Sequence, residues 1–311
     1  MPKRRRNRQR PAAEVSTGQQ AHDDGRGQVS PRGDDSDHGT GTRPNAPVAD
    51  TAPIIPLRPN LESLSPNKSD HAGLAWQRLL LGQKSPQAPQ AHHEHVRAIA
   101  DIKVPQPYTD ALRRWKSIIA CLPGTAQRTV DASGPLAVGL GAASPIDIGC
   151  ALHHTYGVPY LPGSALKGLA RRVAGLSNVT ADKRRELFGA DDSEVAGYIT
   201  FWDGWLDTVT NHQSKPLRQD VITVHHRHYY ESAGVTPPTD FDKPSPLPFL
   251  TVKPRAQFLI SATCADPSEI GLTWAELACQ LVVEGFKELG FGAKTNAGYG
   301  FGRRVGESAE N

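Results

Sequence analysis

The chain is poor in cysteine and has no long apolar run. Its four cysteines, Cys121, Cys150, Cys264 and Cys279, are scattered and form no CxxC pair, so neither a disulfide framework nor a zinc site is indicated. No stretch approaches the roughly 20 apolar residues of a membrane span. The basic run Lys3, Arg4, Arg5, Arg6, Arg8 and Arg10 is not followed by the apolar segment of a secretory signal. A reducing cytoplasm is the expected setting. The formal net charge is only +3, so charge alone assigns no nucleic-acid partner. Aromatic and β-branched residues are nearly missing from 1–70, which is dominated by Arg, Asp, Gly, Pro, Gln and Ser. Such a segment buries too little apolar surface to offset the entropy of ordering, and the expectation is a disordered arm. Its basic run reads either as a solvated tail or as an electrostatic arm for nucleic acid.

The remainder, 71–311, reads as one folded domain: a helical lead-in at about 71–125, a core at about 130–306 and an insertion at about 205–248. Leu74, Trp76, Leu79, Leu80 and Leu81 predict a short helix ending at Gly82, followed by a proline loop at 83–90 and a second helix over 92–102. A third, over 108–122, is amphipathic. Leu112, Trp115, Ile118 and Ile119 share one face, with Arg113, Arg114 and Lys116 largely off it, and Pro123-Gly124 ends it. A strand is expected at 136–142, then a helix capped by Ser164 with Leu166, Leu169, Ala170 and Val173 turned inward. Residues 197–203 alternate like a strand, and 220–224 begin an extended segment. A long proline-rich loop covers 236–248, and strands at 249–252 and 257–262 flank the turn 253–256. The last helix is entered by a capping box at Thr273 and Glu276 and closed by Gly290, and a short strand through Tyr299 and Phe301 follows. The order strand, helix, strand, strand, helix, strand is ferredoxin-like (RRM-like). It predicts an α+β fold with an antiparallel sheet and both helices on one face.

Three segments carry chemistry. The run Gly290-Phe-Gly-Ala-Lys-Thr-Asn-Ala-Gly-Tyr-Gly-Phe-Gly302 removes side chains, so backbone N–H groups at Gly292, Gly298 and Gly300 are free to approach an anion. Lys294 adds charge, Thr295 and Asn296 add neutral hydrogen bonds, and Tyr299 is suited to stack a base. A Walker loop needs Gly-Lys-Ser/Thr opening a helix; here Ala293 precedes Lys294 and the loop closes one, which also excludes a dinucleotide fingerprint. The bland alternative is a glycine turn without a ligand. The second segment is the helix start, where Ser164, Lys167 and Arg171 are suited to phosphate, against the alternative of a solvated basic face. The third is His225 to Tyr230. Read as a strand, it puts His226 and His228 on one face and His225 on the other; His226 and Tyr229 are the candidate RNA contacts. No carboxylate or cysteine stands beside it at metal spacing, so no metal is expected. The group His92-His93-Glu94-His95 reads as a solvated helix start.

Taken in order, these segments resemble the RAMP superfamily of CRISPR proteins. The specific marks are Pro162-Gly-Ser-Ala-Leu-Lys-Gly168, Leu187-Phe-Gly189, Gly197-Tyr-Ile-Thr-Phe-Trp-Asp203 and the glycine run. Within the superfamily, the segment from Asp220 to Tyr230, the prolines after it and Pro248-Phe-Leu-Thr-Val252 are similar to the sixth RAMP subunit of the type III-B Cmr module. The resemblance covers about 108–304. It implies a non-catalytic RNA-binding subunit, without cofactor, of a cytoplasmic ribonucleoprotein in antiviral defence. Such a subunit holds guide RNA near its 3′ end, with target RNA and other RAMP subunits as further partners. By the same resemblance, Lys167 and 292–300 match positions that face RNA, and 211–250 matches a protruding hairpin or loop. One departure is Val224, which stands where proline usually follows the strand threonine. Two rivals remain: a RAMP endoribonuclease using His225 or His226 as base and Lys294 to steady charge, and a scaffold that binds only neighbouring subunits.

Overall fold

The computed structural model describes residues 65–66, 69–80, 88–146, 148–190, 196–211 and 213–306. The expected disordered arm, apart from a few residues near its end, lies outside the described residues, as does most of the expected proline loop. In chain order the elements are α1 Ala72–Arg78, α2 Ala88–Ala100, α3 Gln106–Cys121, β1 Thr125–Ala132, β2 Tyr160–Leu161, α4 Gly163–Leu176, α5 Ala181–Phe188, β3 Ile199–Phe201, β4 Gly204–Leu206, β5 Leu217–Val224, α6 Arg227–Glu231, β6 Ser245–Val252, β7 Gln257–Cys264, α7 Glu269–Glu288 and β8 Gly302–Arg304. Among the described residues, no helix is long and apolar enough to cross a membrane.

The main sheet has the order β2-β4-β7-β1-β8, with β3 also paired to β7, and every pairing is antiparallel. Strand alternation sorts its two faces. Ala126, Val130, Phe258, Ile260 and Ala262 turn toward α7, which packs against α4 across a shared core. The opposite face carries Leu259 and, beside it, Trp205. There α3 covers it: Trp115 stacks on Trp205 with ring centres 5.8 Å apart, and Trp205 stacks on the buried Tyr108. The expected mixture of helices with an antiparallel sheet is present, with a third layer added by α3.

Two latches hold α3. The Tyr108 hydroxyl donates to the Leu206 carbonyl at 3.0 Å, and the Lys116 ammonium meets the Asp207 carboxylate at 2.8 Å. The Asp207 side chain is only 2% exposed, against 28% for Lys116. Burial pushes the Asp207 carboxyl up. The bonds from Lys116 and Thr210 outweigh it, and its pKa lies below the ordinary carboxylate value.

A second, smaller cluster joins α1 and α2 to the β5–β6 hairpin, with Trp76, Leu79, Val96, Ile99, Leu217 and Leu250 in its interior. Val252 turns its N–H outward to Leu136, and even-numbered residues of β6 share that direction. Pro246 and Pro248 therefore lack only outward N–H groups, and the strand tolerates them as an edge. This is why β6 begins at Ser245, inside the segment expected to be loop.

Several expectations need correction. The strand expected at 136–142 is β1 at Thr125–Ala132, and Leu136 makes only an isolated bridge to Val252. The α7 helix starts a turn earlier than the capping box suggested: Ser268 accepts from the Gly271 amide, while the Thr273 hydroxyl donates back to the Glu269 carbonyl. The second helix begins at Ala88, so 88–90 are not loop. Strands β6 and β7 flank the expected turn but belong to different sheets.

His95, expected at a solvated helix start, is 4% exposed and stacks on Trp76. Its Nε2 lies 3.1 Å from the Trp76 carbonyl, which only accepts, so Nε2 carries the proton; Nδ1 is buried without a partner. Burial, assisted by His92 and opposed by the Trp76 bond, holds its pKa below the ordinary histidine value. The neutral ring is the folded form, so its contribution is complete above pH ~6.5 and is lost as pH falls through the lower folded value. The melting temperature is expected to drop between pH 7 and 5, and His95→Gln to flatten that drop. An unchanged slope in the variant rules His95 out as the cause.

Candidate functional site

The glycine run leaves α7 and returns to β1 through β8. Six of its amides are already committed: Phe291 donates to Gly300, Ala293 to Ala137, Ala297 and Tyr299 to Lys294, Gly298 to Thr295 and Gly300 to Pro135. The expected cradle of successive N–H groups is thus largely used in folding the loop itself. Gly300 shows why glycine is needed: at φ 84° it is buried, and a Cβ there would overlap the Phe291 backbone. What the loop offers a ligand is side chains. Lys294 is half-buried and leads a single 3-10 turn, Thr295–Ala297, in which Asn296 is exposed; Gly292 and Gly298 are exposed beside it.

Tyr299 is constrained. Its hydroxyl donates to Asp220 Oδ2 at 2.9 Å, and its ring lies 6.4 Å from that of Phe249. Burial, then the bond to Asp220, raises its pKa. The loop is therefore pinned to the β5–β6 hairpin.

At α4 the cap is Pro162, not Ser164, which lies inside the helix and is exposed. The Gly163 amide donates to Asp203 Oδ1 at 2.7 Å, so a carboxylate already holds the first amide of this helix. That leaves cations as the phosphate-seeking groups, with Lys167 and Arg171 one turn apart on one face. A Cβ built on Gly168, between them, meets open space. Among the described residues nothing requires glycine there, although it weakens a helix by about 1 kcal/mol relative to alanine.

The two segments reach the same end of the sheet. Helices α4 and α7 cross where Leu169 meets Gly285, six residues into α4 and three from the end of α7. Lys167 and the 290–300 loop lie just beyond that crossing.

The histidine segment is not gathered with them. It runs into the short helix α6 and is not a strand, so the strand expected over it is corrected. It sits beyond Val224, four strand residues and roughly 13 Å past the Asp220 that anchors Tyr299. His226 Nδ1 is 3.0 Å from Asp242 Oδ2, a carboxylate the sequence reading did not connect to it. Bonds from His226 and then Thr239 hold the Asp242 carboxyl down at about 2. Tyr229 is exposed at its ring edge beside Tyr230. Among the described residues no group of three or more His, Cys, Asp or Glu is arranged to hold a metal.

The chain is 29% identical over 224 residues to the CRISPR system Cmr subunit Cmr6 of Pyrococcus furiosus, a match covering 53% of this chain and 64% of that one. It thus spans less than two thirds of that relative's length. A chain of the type III-B Cmr-beta complex bound to cognate target RNA superposes with a TM-score of 0.55 at 18% identity, over 70% of this chain and 72% of that chain, a likeness of fold. The model of the RAMP superfamily matches residues 129–303, more than half of the chain and nearly all of the stretch from β1 to β8, and the chain belongs to that family.

Proposed function

We propose that the chain is a non-catalytic RNA-binding subunit of a cytoplasmic type III-B CRISPR effector complex that holds guide RNA, near its 3′ end, in antiviral defence. The observation that carries this reading is the crossing at Leu169 and Gly285, which sets Lys167 and the Lys294 turn at one end of the sheet. The sheet order β4-β7-β1-β8, with α4 following β1 and α7 following β7, supports a ferredoxin-like core. The relatives supply the setting: one is named as a Cmr subunit, and the other belongs to a complex bound to target RNA. Other subunits of such a complex are the expected neighbours.

Lys167→Ala and Lys294→Ala should each weaken binding to single-stranded RNA across sequences. Each should lower the slope of log affinity against log salt by roughly one unit. If both variants bind like the wild type at low salt, the assigned surface is wrong; if the wild type binds no RNA, a scaffold is left. The His226–Asp242 contact favours one rival, since a histidine whose Nδ1 is fixed by a carboxylate presents Nε2 as a base. Labelled RNA in the same incubations separates the two: specific cleavage that disappears in His226→Ala would make the chain an endoribonuclease.

A further inference from the structure

Among the described residues three non-glycine positions have positive φ: Ala233, Arg255 and Lys294. Two of the three are cations, and both stand at the end of the sheet where β1 runs out. Lys294, at φ 61°, belongs to the glycine loop, which bonds to Pro135 and Ala137. Arg255, at φ 62°, is the third residue of the turn 253–256, which bonds to Ala132 in both directions: its own amide donates to the Ala132 carbonyl at 2.7 Å, and the Ala132 amide donates to Ala256. The segment 132–137 is thus a spine with one left-handed cation on each side. Ser133 is exposed between them.

The backbone of the turn is fixed from several directions. Ala256 donates to Lys253 across it, Lys253 donates to Pro216, the Asn211 side chain donates to the Arg255 carbonyl at 2.6 Å, and Gln213 donates to Pro254. Pro254 then Arg255 at positive φ is a turn that favours glycine or asparagine at the second place. Strain of this kind persists where the surroundings over-determine it, and it concentrates at binding and switching sites. No packing explains the arginine, because Arg255 is exposed and its guanidinium makes no hydrogen bond or ion pair among the described residues. Arg303 lies nearby, on β8 directly opposite Asp131 of β1. Asp131 feels both arginines, yet its Oδ1 is buried without a hydrogen-bond partner. With Lys253, which also feels the Asp101 carboxylate, the patch holds three cations against two carboxylates.

We infer that Arg255, with Lys253 and Arg303, is a second phosphate-contacting point, so that a single-stranded RNA backbone gripped at Lys294 continues over Ser133 to the turn 253–256. This rests on the RNA-binding reading proposed above and lengthens its track.

Arg255→Gly tests it, because glycine suits the imposed φ and removes only the side chain. Measured on the full chain with a uniform oligouridylate over a salt series, Arg255→Gly should bind several-fold more weakly and lower the salt slope by about one unit. Its melting temperature should equal or exceed that of the wild type. Arg255→Lys should keep affinity within about twofold of the wild type, since the phosphate term follows charge. Lys294→Gly is the control for the parent reading. Wild-type binding by Arg255→Gly together with loss in Lys294→Gly overturns the extension and leaves the loop assignment standing. Wild-type binding by both overturns both. A lowered melting temperature in Arg255→Gly shows a structural arginine and sinks the proposal. So does unchanged RNA binding with loss of co-purifying protein neighbours, which assigns the patch to an acidic protein surface.

Discussion

Gly285→Val is expected to destabilise the chain by about 3 kcal/mol and, on the RNA-binding reading proposed above, to reduce RNA affinity with it. A Cβ built on Gly285 falls on the Cγ of Leu169 and within 3 Å of both its terminal methyls, so any side chain there drives α4 off α7. The opposing gain in helix propensity is only about 1 kcal/mol and does not restore contact. The result has a distinctive partner. If overlap with Leu169 is the cause, Leu169→Ala should recover much of the loss in the Gly285→Val background while being destabilising alone, a coupling readable from denaturant midpoints. Additive effects, or a Gly285→Val chain as stable as the wild type, mean that the crossing is loose and does not hold the two cationic segments in place.

Lys116→Ala should cost about 2 kcal/mol and loosen α3 at the end of β4, where the Tyr108 bond and the Trp205 stacking still hold it. Removing the lysine leaves a carboxylate whose side chain is 2% exposed without its counter-ion. The amides of Val209 and Thr210 still bond to it, and Lys116 is itself partly wet, which keeps the loss below that of a fully buried pair. The pH dependence gives the check. The Asp207 pKa is lowered in the folded chain, so its stabilisation is present above pH ~3.9 and is lost as pH falls through the folded value. In Lys116→Ala burial acts with less opposition, the pKa rises, and the acid transition should move to higher pH. An acid transition at the wild-type pH in the variant would remove Lys116 from the account of this latch.

The parts of the fold legible in the sequence were those with local periodicity or punctuation. Helix α3 declares itself through Leu112, Trp115 and Ile119 and the Pro123-Gly124 stop. The turn 253–256 is marked by its proline. Strand β1 hides because its inward face is built from Ala126, Val130 and Ala132, with Arg128 interrupting the same face to reach Glu276. The mixed helix and antiparallel-sheet character was still legible because other strands and both core helices were placed. The site was less legible. Lys294 and Lys167 could be nominated from their segments. The Asp203 carboxylate on Gly163 is 40 residues away, and the Asp220 partner of Tyr299 is 79 away, so no local pattern announces either. Two donors of the glycine run, Ala293 and Gly300, were misjudged for the same reason, because their acceptors at Ala137 and Pro135 lie far back in the chain; the other four close on the run itself. Arg255 carries no motif at all; only its backbone angle singles it out.

The prolines of β6 set a rule for assembly. An edge that has lost its donors at 246 and 248 cannot template a further strand. Its last residue, Val252, is already occupied by Leu136. The β6 edge is therefore closed to sheet growth. A subunit stacking on this edge would have to read side chains and shape rather than lengthen a ladder.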